Sequence, residues 1–169
     1  TLREKLGVLL FQMPPTFTLA LPVLDDFLGW LPENVRAAFE FRHASWHVPE
    51  VFERLRRRNA ALCITETAGS AASRRGIRGA GSRVGTQEAS GCEPRRGARE
   101  LMSAPLVMTA DFGYFRLRDE GYTADDLRQW AGRLRQQHTR RRDIFVYFKH
   151  EEAGKGPEFA RQLMRLLDM

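Results

Sequence analysis

The sequence predicts an α/β fold built around a parallel β-sheet. Five short apolar runs end abruptly in polar and charged residues, at residues 6–15, 36–46, 60–67, 110–119 and 141–152. Continuous apolar runs of this length are typical of strands that are buried on both faces. Helical patterns lie between the runs. The order of elements therefore indicates repeated strand–helix units, in either an open doubly wound sheet or part of a (β/α)8 barrel.

Four amphipathic helices are predicted, at residues 19–31, 49–58, 123–138 and 156–168. The first has Pro22 in its first turn, where proline is tolerated, and in the third Thr123 and Asp126 have the spacing of a capping box. The apolar face of the first helix is predicted to comprise Val23, Leu24, Phe27, Leu28 and Leu31.

Residues 69–100 differ in composition from the rest of the chain. They contain no aromatic residue and no leucine, but seven of the chain's 14 glycines. Such a segment buries too little apolar surface to offset its chain entropy, so we predict a disordered insertion within a single domain over residues 1–169. Seven arginines against three glutamates give it +4 of the chain's net charge of +6. The rest of the chain is therefore nearly balanced in charge.

Several classes of protein are disfavoured by the 169-residue sequence. No apolar run approaches the roughly 18 residues of a membrane span, and the amino terminus lacks a signal-peptide pattern, which predicts a cytoplasmic protein. The two cysteines form no CxxC pair, and the histidines and carboxylates lack HExxH-type spacing. No metal site is predicted, and the sequence specifies neither a cofactor nor an oligomeric state.

Four motifs together resemble the YecE-like family, a domain of unknown function with the number 72. They are QMPPTF (residues 12–17), EFRHASW (40–46), TADFGYFRLR (109–118) and VYFKHEE (146–152). The resemblance implies a TIM-like β/α barrel of parallel strands, and no established reaction. It extends only to strands four to eight, because the family's motifs for the first three strands are absent. The insertion at residues 69–100 is also atypical of the family.

Charged side chains are predicted to meet inside this partial barrel. Alternation along the strands puts Phe39, Phe41, Phe115 and Leu117 against the outer helices, so the interior receives Glu40, Arg42, Arg116 and Arg118. Further candidates for the same mouth are Gln12, Glu66, Tyr147 and Lys149. A carboxylate beside several cations can act as a general base while arginines hold an anionic substrate. The alternative is a purely structural role, in which these side chains form ion pairs with one another so that no charge is buried without a partner.

The histidines and one tryptophan also have two interpretations each. His43 and Trp46 follow a predicted strand directly, and they either form a wall of the pocket or act as a capping histidine and a packed tryptophan. His47 is predicted at the surface. His150 follows the last strand, where barrel enzymes often bind phosphate, although its KHEE context is also that of an ordinary solvated loop.

The favoured functional hypothesis is an enzyme-type pocket for a small anionic or sugar-like ligand. Glu40 would act as acid or base, Arg42 and Arg116 would hold the anion, and the substrate-binding group would comprise Gln12, His43, Trp46, Glu66, Arg118, Tyr147, Lys149 and His150. The alternative is a nucleic-acid-associated protein that uses the basic segment with Lys149 and His150. A third hypothesis is a truncated copy without activity.

Overall fold

Five parallel strands form one sheet whose spatial order follows the chain. The strands of the computed structural model are β1 (Leu9–Gln12), β2 (Ala37–Glu40), β3 (Ala61–Thr65), β4 (Phe112–Leu117) and β5 (Asp143–Phe148). The helices are α1 (Leu21–Trp30), α2 (Pro49–Arg57), α3 (Ala124–His138) and α4 (Lys155–Leu166), and a 3₁₀ turn spans Ala44–Trp46. The structure describes residues 5–66, 104–119, 121–138, 143–149 and 154–168. The predicted strand–helix series is confirmed, and the predicted insertion at residues 69–100 lies outside the described residues.

The strand order decides between the two arrangements that the sequence leaves open. A doubly wound sheet reverses its strand order at a switch point, whereas here each described strand pairs with the next one along the chain. The helices cover one face of the sheet. Leu62 of β3 packs with α1 and α2, and Ile64, on the same face of β3, packs with α3 and α4. This single winding fits a partial β/α barrel.

Around β2 and β3, the two faces of the sheet carry side chains of different size. The outer face buries Phe39, Phe41, Phe115 and Leu117 beneath the helices, as the alternation predicts. The inner face of β2 and β3 carries the small buried residues Ala38, Ala61 and Cys63. Small residues there leave room for long side chains that reach inward from the neighbouring strands.

An arginine spans the inner face near the amino ends of the strands. Arg36, just before β2, donates a hydrogen bond of 2.7 Å from Nη1 to Oδ2 of Asp143, the first residue of β5. Between the two strands, the guanidinium carbon of Arg36 lies 5.6 Å from the ring centroid of Phe112 and 6.0 Å from that of Phe145. Two strands separate β2 from β5, so side chains from them meet most readily on the concave side of a curled sheet.

Local signals set where the helices begin. Pro22 and Pro49 occupy the first turns of α1 and α2, where a backbone N–H has no helical acceptor. At the start of α3, the backbone N–H of Thr123 donates to Oδ2 of Asp126 (2.9 Å), and that of Asp126 donates to Oγ1 of Thr123 (3.2 Å). The predicted capping box is therefore confirmed.

Helix α1 buries a narrower stripe than its sequence predicts. Leu24 and Leu28 are buried against the sheet, but Val23 is 54% exposed. Trp30 is likewise 87% exposed, whereas the ring of Phe27 contacts those of Phe11 (4.9 Å between centroids) and Phe39 (5.8 Å) in the sheet. The prediction that Val23 belongs to the buried face is wrong, because the helix turns Leu24, Phe27 and Leu28 towards the sheet and leaves Val23 facing solvent.

The two edges of the described sheet are β1 and β5. Beside β5 lies a cavity of about 490 Å³, lined by Ile144, Phe145 and Val146 and by residues from the ends of α3 and α4. At the other edge, Leu9 of β1 is 36% exposed. Apolar side chains thus lie open at both edges of the described part of the sheet.

Candidate functional site

A buried carboxylate lies at the carboxyl end of β2 on the inner face of the sheet. Glu40 is 2% exposed, and its Oε1 lies 3.3 Å from Nε of Arg42 and 3.7 Å from Nη1 of Arg118. Nη1 of Arg116 donates a hydrogen bond to Oε2 of the same carboxylate. Burying a carboxylate is costly unless charged or hydrogen-bonding partners surround it. The predicted convergence of these four side chains is confirmed, whereas their roles in catalysis stay predictions.

Two further side chains of the described residues, Gln12 and Cys63, lie near the carboxylate. Arg116 also donates a hydrogen bond of 2.8 Å from Nη1 to Oε1 of Gln12, at the end of β1. Cys63 is fully buried, and its Sγ lies 3.9 Å from Oε2 of Glu40 as a weak donor. Burial, and next the nearby charge of Glu40, raise the pKa of the Cys63 thiol well above its usual range. Cys63 is therefore a neutral thiol that supports the carboxylate and is not an activated nucleophile.

The cluster of Glu40, Arg42, Arg116 and Arg118 carries an excess of positive charge. Three guanidinium groups contact one carboxylate, and the side-chain exposures are 28% for Arg42, 23% for Arg118 and 15% for Arg116. Lys149, directly after β5, is exposed and shares by alternation the inner face of Tyr147. Among the described residues, the mouth of the sheet thus has more cationic groups than the Glu40 carboxylate neutralises, an arrangement that suits an anion.

A tyrosine pair borders this charged cluster. Tyr147 of β5 is the register partner of Arg116 of β4, and it is 46% exposed. Its ring centroid lies 5.1 Å from that of Tyr114, which is buried. Two effects raise the pKa of Tyr114 to about 12: burial is the larger, and the neighbouring Tyr147 is the next. The hydroxyl of Tyr114 therefore stays protonated. The alternation of β4 predicts Tyr114 on the same face as Arg116, but only Tyr147 of this pair was among the predicted site residues.

The comparisons with known proteins agree with the fold. The family model described as "Protein of unknown function DUF72" matches residues 1–169. The chain belongs to the DUF72 family. This is the same family as the YecE-like one, so the resemblance seen in the motifs is confirmed. No curated protein matches the sequence.

Solved structures of DUF72 family proteins resemble the chain in fold. One from Thermotoga maritima is 18% identical, with a TM-score of 0.70 over 98% of this chain and 59% of its own. One from Enterococcus faecalis V583 is 15% identical, with a TM-score of 0.65 over 95% of this chain and 60% of its own. The chain therefore spans about three fifths of the length of the DUF72 structures it matches. Likeness at this identity supports the fold alone.

Glu66, predicted at the mouth, lies on the other face of this DUF72 sheet. It is 8% exposed, and its Oε2 accepts hydrogen bonds from Oη of Tyr122 (2.6 Å) and from Nε1 of Trp130 (3.0 Å). Burial, and next the hydrogen bond to Glu66, raise the pKa of Tyr122 far above its usual range. The prediction for Glu66 is wrong because Leu62, Ile64 and Glu66 alternate onto the outer face. The pattern of β3 could have shown this.

Trp46 is packed in the core and forms no wall of the pocket. It is 1% exposed, its ring stacks on Phe41 with centroids 4.6 Å apart, and its Nε1 donates to the backbone oxygen of Phe17 (2.8 Å). Nδ1 of His43 accepts from the backbone N–H of Ser45 (3.2 Å), which caps the 3₁₀ turn. The capping and packing interpretations are therefore confirmed, and the prediction of Trp46 as a substrate-stacking group is wrong.

Other predicted features fall outside what these contacts test. His150 lies outside the described residues. In the described ranges, no group of three or more histidine, cysteine, aspartate or glutamate side chains is placed to hold a metal ion. Among the helices of those same ranges, none has the length and hydropathy needed to cross a membrane.

His47 is half-buried rather than on the surface, and its Nε2 has no hydrogen-bond partner among the described residues. Burial lowers the pKa of His47 below its usual 6.5, more than a hydrogen bond to the Phe41 backbone raises it. The unfolded chain therefore binds a proton more readily than the folded one below about pH 6.5. We expect the free energy of unfolding to be highest above that pH and to fall as the pH drops through this range.

Urea unfolding at a series of pH values checks this expectation in wild type, His47→Gln and His138→Gln. His138 is exposed at the end of α3 and serves as the control. The decrease in the free energy of unfolding at acid pH should be smaller in His47→Gln than in wild type, and it should be unchanged in His138→Gln. Equal pH dependence in all three proteins would contradict the assignment to His47.

Proposed function

We propose that the chain forms strands four to eight of a TIM-like β/α barrel and carries an anion-binding pocket at the carboxyl ends of these strands. The strands follow one another in chain order, and the helices of the described ranges cover one face of the sheet, which supports the barrel. Five strands of eight also agree with the three fifths of the related DUF72 structures that the chain covers. In β/α barrels this end of the strands is the functional one.

The observation that carries the proposal is the set of three guanidiniums around one buried carboxylate. If the cluster served only to neutralise Glu40, one well-placed guanidinium would suffice. The surplus cations repel one another, and an added anion would relieve that repulsion. Guanidiniums are planar donors that match carboxylate and phosphate oxygens two at a time. A small oxyanion is the ligand that this geometry supports best.

The residues of the cluster have different roles in this proposal. Glu40 is almost inaccessible and contacts guanidiniums through both oxygens, which favours an anchoring role over direct contact with a substrate. Arg116 bridges Glu40 and Gln12 and is the least exposed of the three arginines. Arg42 and Arg118 are more exposed, so they are the proposed ligand contacts. Acid–base chemistry by Glu40 would require the guanidiniums on its Oε1 to move towards the ligand.

Calorimetric titration with inorganic phosphate at low ionic strength tests the pocket. Wild type should bind phosphate saturably, and Arg118→Gln should weaken that binding by about tenfold or more, because a charge-assisted contact is worth about 1.5–3 kcal/mol. The matched control is Arg128→Gln, since Arg128 is 61% exposed and pairs with Asp125 on α3, away from the cluster. Absence of saturable binding, or equal weakening by both variants, would refute the pocket.

The alternative of nucleic-acid association makes a different prediction for the same protein. Binding through the basic residues 69–100 should disappear when that segment is replaced by a short linker, and it should weaken steeply with salt. Phosphate binding by the cluster should survive the replacement. Far-UV circular dichroism of the shortened chain provides the check that the fold is retained.

A further inference from the structure

The proposed anion pocket has an exposed aromatic ring directly beside it. Tyr147 and Arg116 are register partners on adjacent strands, about 4.8 Å apart along the hydrogen-bonding direction, and both side chains lie on the inner face. Tyr147 remains 46% exposed although the other tyrosine of that face, Tyr114, is almost completely buried. An aromatic ring left open next to a cationic cluster is a surface on which the uncharged part of a ligand can rest.

The ring of Tyr147 is held by its neighbour. Its centroid lies 5.1 Å from that of Tyr114, with the ring planes tilted by 32°. Tyr114 in turn packs with Phe145 on the floor of the inner face. A ring fixed in this way loses little conformational entropy when a ligand stacks on it.

A polar group whose amide donors have no hydrogen-bond partner among the described residues lies on the side of Arg116 opposite to Tyr147. Gln12 is exposed, and its Oε1 accepts the hydrogen bond from Arg116. Because the oxygen is oriented towards the guanidinium, the Nε2 amide points elsewhere with two donors available for hydroxyl groups. Arg116 is thus flanked by an aromatic ring on one side and by an amide donor on the other.

Resting on the proposed anion pocket, we infer that its ligand is a phosphate monoester of a sugar. The phosphate dianion would occupy the surplus positive charge of Arg42, Arg118 and the exposed Lys149. A phosphate dianion carries two negative charges and a carboxylate ligand carries one, so these cations attract the phosphate more strongly. The apolar face of the sugar ring would lie on Tyr147, and its hydroxyl groups would accept from the amide of Gln12.

Titration with glucose 6-phosphate, inorganic phosphate and glucose tests this inference. Wild type should bind glucose 6-phosphate about tenfold more tightly than phosphate, because the sugar face buries apolar surface on the ring. In Tyr147→Ala the ratio of the two affinities should fall to about one. Trp30→Ala, which removes an 87% exposed aromatic ring from α1, is the matched control and should keep the ratio.

The outcomes separate this inference from the function on which it rests. If wild type binds phosphate and glucose 6-phosphate equally well, the anion pocket stands and the sugar phosphate is refuted, without need of any variant. If the ratio survives in Tyr147→Ala, the ring is not the sugar platform and the inference fails. If neither anion binds, the pocket itself is refuted and the inference with it.

Discussion

Replacing Glu40 by glutamine is expected to lower the free energy of unfolding by about 3 kcal/mol. Glutamine has nearly the same shape, so the substitution opens no cavity and removes mainly the negative charge. The guanidiniums of Arg42, Arg116 and Arg118 would then face one another with no carboxylate between them. Removing one partner of a buried ion pair costs about 3–5 kcal/mol, and the partial exposure of the arginines puts the expected loss at the lower end of that range.

Urea unfolding followed by far-UV circular dichroism measures this loss. Glu53→Gln on α2, where the side chain is exposed, is the matched control and should change the free energy of unfolding by less than about 0.5 kcal/mol. The double variant Glu40→Gln with Arg118→Gln should lose less than the sum of the two single losses, because removing one cation relieves the repulsion. An unchanged stability in Glu40→Gln, or strict additivity, would show that the cluster is not one electrostatic unit.

Local alternation was enough to predict which strand residues face inward. Phe39 and Phe41 alternate with Glu40 and Arg42 over a few residues, and burial of the aromatic rings beneath the helices determines the placement of the charges. The same rule applied to β3 would have placed Glu66 outside. Glu66 was predicted at the mouth because it lies at the end of a strand, but its place in the alternation along β3 puts it on the opposite face from Cys63.

Tertiary contacts decided the features that periodicity could not. Trp46 lies in the 3₁₀ turn after β2, which is too short for a sequence pattern to show which way the side chain points. Its contacts with Phe41 and Phe17 show that it is packed in the core. Helix α1 has apolar residues on more than one side, and nothing in its sequence says that Leu24 and Phe27 pack on the sheet while Trp30 does not. The choice between single and double winding likewise depends on contacts between strands that are far apart in the sequence.

The second large effect is expected from Glu66→Met, which should lower the free energy of unfolding by about 3 kcal/mol. Methionine keeps the volume of the side chain but accepts hydrogen bonds poorly, so Oη of Tyr122 and Nε1 of Trp130 would lose a charged acceptor in a buried place. Hydrogen bonds to a charged group contribute about 1.5–3 kcal/mol each, and partial rearrangement offsets some of the loss of two. Glu66→Gln retains one acceptor oxygen and should therefore cost less than Glu66→Met.

The position of Glu66 gives this substitution a consequence beyond stability. Tyr122 holds the loop between β4 and α3 through the backbone N–H of Asp119 (3.2 Å), directly after Arg118. The backbone N–H of Glu66 also donates to the carbonyl of Arg116 (3.3 Å). If these two contacts loosen, the backbone that holds Arg116 and Arg118 becomes less fixed. Glu66→Met should therefore weaken phosphate binding at a temperature where the protein remains folded. Tyr122→Phe, which keeps the ring and removes one donor, should show a smaller effect in the same direction. Full phosphate affinity in a destabilised Glu66→Met protein would show that the two faces of β4 are energetically independent.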